Sequence, residues 1–181
     1  MPVFVVLVLL AVLSILGSKS GRKGKLKKEA LYERFQHKFT SVGTSRGREV
    51  DMIYCICMPD RLAYVTKKLE SLGQRYRLLD AIRPDDLTRD DYQSLSQTFK
   101  PSNKHLYRQM TKLCVCLSFF MCYYDAYRNG FDIVLILEDD IKYQVSSAKI
   151  FEAIRQFKTT DGQIMFLGYC WTNCRLPFTQ L

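Results

Sequence analysis

The stretch from Leu106 to Leu137 restricts the possible fold more than any other part of the chain. Leu106, Met110, Leu113, Leu117, Phe120, Tyr124 and Tyr127 recur in steps of four and three, the spacing that lines one face of an α-helix. Asn129-Gly130 follows, and both residues tolerate the left-handed backbone that ends helices. Phe131 to Leu137 is then nearly all apolar or β-branched, as expected of a central parallel strand covered on both faces. The same alternation runs upstream. Asp51 to Met58 reads as a buried first strand, and Pro59-Asp60-Arg61 opens a helix carrying Leu62, Val65, Leu69 and Leu72 to a stop at Gly73. Tyr76 to Ile82 is a second strand. Thr88 and Asp91 have the spacing of a capping box, and Ser102 or Asn103 caps the long helix. Downstream, Ile150, Phe151, Ile154 and Phe157 form another helix face, and Asp161-Gly162 turns into a strand from Gln163 to Tyr169. Strands alternating with helices predict an α/β sheet with right-handed crossovers.

Charge divides the chain before the first strand. The whole carries a net +9, but residues 1–18 hold no charged side chain, and residues 19–48 hold ten Lys and Arg against only Glu29 and Glu33. Residues 49–181 are close to balanced, so a pervasive nucleic-acid-binding face is not expected. Three segments result: 1–18 as a membrane anchor or signal segment, 19–48 as a basic linker, and 49–181 as the globular domain. Pro2 to Gly17 would span about 24 Å as a helix, slightly short of a ~30 Å hydrocarbon core. Neighbours such as Lys19 can snorkel, so a single-pass anchor is feasible. A cleaved signal peptide is the competing reading, but there is no basic n-region and Ile15 sits poorly for cleavage before Ser18. The KSGRKGKLKK run beside the anchor is either a membrane-hugging linker or a solvated stalk, and its basic character favours the cytoplasmic side.

Seven cysteines occur without a CxxC, and with only His37 and His105 in the chain a zinc site is not expected. Cys55 and Cys57 fall on one face of a strand, where a thiol behaves as a small buried hydrophobe. GxGxxG, GxxxxGK[ST], HExxH and GxSxG are all absent.

The chemistry-bearing feature is Glu138-Asp139-Asp140, three carboxylates directly after the most hydrophobic strand. Ligands of open α/β sheets collect at the carboxyl ends of strands, and crowded acids there repel until a hard divalent cation relieves them. A solvated acidic turn is the alternative, and the motif alone does not choose.

The surroundings of that run resemble glycosyltransferase family 25, the lipooligosaccharide and procollagen galactosyltransferase group, over about residues 51–171. Met58-Pro59-Asp60-Arg61 after the first strand is similar to the family's Asn-Leu-Asp-Arg type of turn. Leu79-Asp80-Ala81-Ile82 resembles a segment ending in Ala-Ile/Val-Asp-Gly. Leu117-Ser118 resembles the Leu-Ser of a Gly-Cys-Ala-Leu-Ser-His block, with Phe119 in place of its His and Thr111, Cys114 and Val115 at its other positions. Asn129-Gly130 through Leu137-Glu138-Asp139-Asp140 is similar to Gly-x-x-x-Ala-Leu-Ile-Leu-Glu-Asp-Asp-Val, and Phe166-Leu167-Gly168-Tyr169 to the strand after it.

The resemblance implies a Rossmann-like, GT-A-type, mostly parallel sheet with flanking helices, preceded here by the hydrophobic anchor helix. It implies transfer of a galactose- or glucose-type hexose from a UDP-sugar to a hydroxyl of a glycan, lipid-linked saccharide or hydroxylated protein, with Mn²⁺ or Mg²⁺. By position, Asp140 with Glu138 would contact the metal. Glu138, Asp139, Asp60, Arg61 and Ser118 would contact the donor, and no catalytic base is assigned. Trp171 reads as core or hydrophobic edge. The chain stops at Leu181, where the resemblance implies further elements, so an N-terminal part of a family domain is expected. A non-catalytic, membrane-anchored binding protein with the same fold is the alternative function. Relatives imply the lumen of the endoplasmic reticulum or Golgi, against the cytoplasmic face implied by the basic flank. Deleting residues 1–18 is expected to move the protein into the soluble fraction at about 1 M salt, where surface electrostatics are screened. Continued pelleting of the truncated protein at that salt would refute the anchor.

Overall fold

The computed structural model describes residues 22–43, 49–96, 106–140 and 146–159. Among them, the residues up to Asp139 belong to one unit and those from Asp140 onward to a second. The first unit opens with helix α1 (Arg22–Phe35), a 3₁₀ turn (Gln36–Lys38) and strand β1 (Phe39–Val42). Strand β2 (Met52–Cys57), a 3₁₀ turn (Pro59–Arg61), helix α2 (Leu62–Ser71) and strand β3 (Tyr76–Asp80) follow. A turn at Pro84–Asp86, helix α3 (Arg89–Ser96), the long helix α4 (Leu106–Asn129) and strand β4 (Val134–Glu138) complete it. The second unit contributes helix α5 (Ser147–Phe157), on which Ile150, Phe151 and Ile154 are buried as their spacing predicts.

The four strands form one mixed sheet in the order β1-β3-β2-β4. β2 pairs in parallel with both β3 and β4, while β1 pairs antiparallel with β3. From β2 the chain crosses to β3 on one side, then returns past β2 to β4 on the other. For right-handed crossovers, the rule between parallel strands, opposite directions put the two helical connections on opposite faces of the sheet. All six residues of β2 are buried, which agrees with a central strand covered on both faces. Helix α4 packs on β2 and β4, and Leu113, Leu117, Phe120 and Tyr124 of its stripe are buried while Tyr127 is exposed. Gly130 has φ +66°, the left-handed conformation that ends α4, and the Phe131 N–H bonds back to the Ala126 carbonyl.

One buried carboxylate joins four of these elements. Asp125, in α4, accepts hydrogen bonds from the hydroxyls of Tyr32 in α1 and Tyr54 in β2, the latter at 2.5 Å. Arg77 of β3 donates through Nη1 to both carboxylate oxygens, at 2.7 and 2.8 Å. The Arg77 guanidinium also lies 4.5 Å from the Phe39 ring of β1. Burial first, and Asp125 second, push both phenols well above their usual range, so both remain protonated donors.

The segment expected as a basic linker therefore carries structure over residues 22–42. The Glu29 carboxylate accepts from Tyr124, Arg128 pairs with Glu29 and Glu33, and Arg34 pairs with Asp91. Sequence periodicity hid this docking because Lys and Arg dominate α1; among its described side chains Tyr32 and Phe35 are buried, and Glu29, Glu33 and Arg34 add polar contacts. Gly43, after β1, has φ +62°, and a Cβ there would lie 2.3 Å from the Tyr76 ring, so only glycine fits.

Among the described residues no helix is long and apolar enough to cross a membrane. Residues 1–18, where the anchor is expected, lie outside them, as do Ser102 and Asn103, the strand from Gln163 to Tyr169, and Trp171. The expected capping box is present: the Asp91 carboxylate accepts from the Thr88 N–H at 2.6 Å, and the Asp91 N–H donates to the Thr88 hydroxyl at 3.2 Å.

Removing the shared acceptor leaves Arg77 and two phenols without it. Asp125→Ala is expected to lower the unfolding free energy by about 3 kcal/mol, the low end for a broken buried pair, because Arg77 is 30% exposed. Tyr54→Phe, which leaves Asp125 its other donors, is expected to cost about 1 kcal/mol. Urea denaturation of both variants measures the difference, and equal losses would show that Asp125 is not the organising group.

Candidate functional site

Parallel pairing brings the carboxyl ends of β2, β3 and β4 to one edge of the sheet. Cys57 is in register with Asp80, and Ile56 with Glu138. The strand order reverses between β2 and β4, so this is the point where an open α/β sheet forms its ligand crevice.

The link across that point is Asp139. It follows β4 directly, and its Oδ2 accepts from the backbone N–H of Met58 at 2.7 Å. Its Oδ1 accepts from Arg61 Nη1 at 2.8 Å. Local sequence sets up this geometry. Pro59 has φ near the helical value and starts the 3₁₀ turn, which the Arg61 N–H closes on the Met58 carbonyl at 3.0 Å. The turn exposes Asp60 and Arg61, and the Asp139 side chain is only 10% exposed beside an Arg61 side chain 49% exposed. Below them the Cys57 thiol donates to the Met58 carbonyl at 3.1 Å. Burial, then the charge of Asp139, pushes its pKa up to about 11.

A second charged group stands at the end of β3. Lys38, buried, pairs with Asp80 at 3.1 Å and with Asp86 at 3.0 Å. Asp86 also accepts from the Arg83 N–H at 2.7 Å. Burial raises the Asp86 carboxyl, but the bonds from Arg83 and Lys38 outweigh it and hold the group below its ordinary value. Lys38 could not be picked out in the sequence. It is one of ten basic residues between 19 and 48, and its partners lie 42 and 48 residues further on. Asp80 had a signal, as the acid that ends a buried strand.

Of the residues singled out in the sequence, Arg61 and Asp139 meet directly, and Asp60 shares their turn. Glu138 is half-buried at the end of β4, and Asp140 is exposed in the turn after it. Ser118 is fully buried in α4. Its hydroxyl donates to the Cys114 carbonyl and accepts from the Ile82 N–H, both at 3.0 Å, which fastens the segment after β3 to the helix. Phe119 is likewise buried. Among the described residues no group of three or more His, Cys, Asp or Glu is arranged to hold a metal ion.

An acid and an arginine thus meet across the strand-order reversal, at the ligand end of an α/β sheet. Residues 53–178 match the family described as glycosyltransferase family 25 (LPS biosynthesis protein), and the chain belongs to that family. Comparisons with curated proteins and with solved structures find no match.

The Cys57 thiol yields a pH dependence. Its folded pKa lies above the ordinary thiol value of 9.0, so its contribution to stability is full below about pH 9 and is lost as pH rises toward 11. Melting temperature measured from pH 8 to pH 11 is expected to fall less steeply in Cys57→Ser than in the wild type over that window. Parallel curves would refute the shift.

Proposed function

We propose that the chain is a metal-dependent glycosyltransferase that moves a hexose from a UDP-sugar to a hydroxyl of a glycan, lipid-linked saccharide or protein. The carrying observation is the Met58–Asp139–Arg61 junction, which puts an exposed cation and an acidic run at the ligand end of a sheet in a family 25 chain. The sheet order supports the Rossmann-like, GT-A type of architecture implied by the resemblance.

The donor set suits a divalent cation of the Mg²⁺ or Mn²⁺ kind, which takes one or two carboxylates from a protein and further oxygens from substrate phosphates. Asp139 uses both oxygens within the protein; by their positions in the acidic run, Asp140 and Glu138 would hold the ion. When bound, it supplies Lewis-acid neutralisation of a diphosphate leaving group. Arg61 would pair with a diphosphate oxygen, the geometry a guanidinium suits best, and Asp60 would face the nucleoside. Transfer makes a bond from the acceptor oxygen to the anomeric carbon and breaks the bond to UDP; the diphosphate keeps the electron pair, and the acceptor's hydroxyl proton passes to the leaving diphosphate or to water. The buried edge below, with Cys57 protonated, excludes water from the floor of the crevice. Residues 1–18 would tether the domain to a membrane; their uncharged apolar run supports this, and the basic flank supports the cytoplasmic face.

Calorimetry with UDP tests the reading. Binding is expected only with Mn²⁺ or Mg²⁺ present, because carboxylates and diphosphate repel without it. Asp140→Asn is expected to abolish that binding, while Glu152→Gln, an exposed acid of α5, leaves it unchanged. UDP binding that ignores the metal, or that survives Asp140→Asn intact, would overturn the assignment.

A further inference from the structure

We infer that Asp139 is a positioning residue for Arg61 and not itself a ligand of metal or nucleotide. The inference rests on the reading above, in which Arg61 meets a diphosphate. Asp139 is the middle member of the acidic run, and its two oxygens are engaged by two ends of one turn: the Met58 N–H that precedes it and the Arg61 side chain that closes it. The carboxylate lies inside and the guanidinium outside, at 10% and 49% exposure. The guanidinium is therefore the outer member of a formally neutral pair, the one a ligand would meet. Both contacts are charge-assisted, the stronger kind of hydrogen bond.

This arrangement orders a long, rotamer-rich side chain before any ligand arrives. Ordering it in advance removes that cost from binding, which is how preorganisation raises affinity. The benefit falls only on the part of the ligand that Arg61 touches. An anionic diphosphate gains from it, whereas a neutral nucleoside does not. A carboxylate that merely held the fold together would affect both alike. One that held the metal would change the metal dependence, as expected of Asp140.

The test uses the full chain and compares UDP, with and without Mn²⁺, against uridine, by calorimetry for the first and ligand-observed NMR for the second. Asp139→Asn keeps an acceptor for the Met58 N–H but loses the charge. It is expected to lower UDP affinity about tenfold, to leave uridine affinity unchanged, and to retain the Mn²⁺ requirement. Asp139→Glu, which keeps the charge and displaces it by one methylene, is expected to show the same ligand-selective loss and serves if the Asn variant does not fold. Arg61→Ala is expected to lose at least as much as Asp139→Asn, and the double variant no more than Arg61→Ala alone, because the two act as one unit. An equal loss for uridine, losses that multiply in the double variant, or a vanished Mn²⁺ requirement in Asp139→Asn would each overturn the positioning role alone. A wild type that binds no UDP with Mn²⁺ would overturn the functional reading and this inference with it.

Discussion

Everything described in the first unit depends on one carboxylate in the core. Asp125 is 1% exposed, and an unpaired charge at that depth would be neutralised or expelled. It persists because Arg77 supplies the opposite charge and two tyrosines fill the remaining acceptor sites. Each donor comes from a different element, so α1, β2, β3 and α4 can satisfy the carboxylate only in a single mutual arrangement. Hydrophobic packing of Ile53, Leu78, Leu117 and Phe120 drives the collapse and is tolerant of small shifts, whereas the Asp125 bonds are directional and reject them. The crevice inherits that fixity, because β2 and β3 deliver both Met58 and Asp80 to its edge.

The elements that bury an apolar face were legible in the sequence. The α4 stripe, the β2 and β4 runs and the Val65–Leu69–Leu72 face all follow periodicity, and periodicity is set by the backbone that the side chains must bury. Helix α1 was not legible, since its contacts are Glu29–Tyr124, Glu33–Arg128 and Tyr32–Asp125, pairs more than ninety residues apart. Lys38 and Asp125 belong to the same class: a charge looks solvated in a sequence unless its distant partner is known. At the crevice, Asp139 and Arg61 were marked by strand-end position, but their pairing across 78 residues needed the fold. Ser118 was marked by resemblance, and the structure gives its hydroxyl two partners within the helix packing.

Helix α1 and strand β1 lie outside the span that matches the family, which begins at residue 53. β1 covers the side of β3 away from β2 and so occupies what would be an exposed edge. Through Lys38 the same segment reaches the end of β3, so the part of the chain nearest the apolar N-terminal run is built into the charged rim of the crevice.

Asp139 reaches the first turn through the amide of Met58 and not through its side chain. A contact to a main-chain N–H does not read the identity of the residue that carries it. Position 58 can therefore drift among nineteen amino acids with the junction intact, and only proline, which has no N–H to offer, is barred. Arg61 has no such latitude, because its role is carried by the guanidinium itself. The two ends of one short turn thus evolve under opposite rules, one constrained by what it must not be and the other by what it must be.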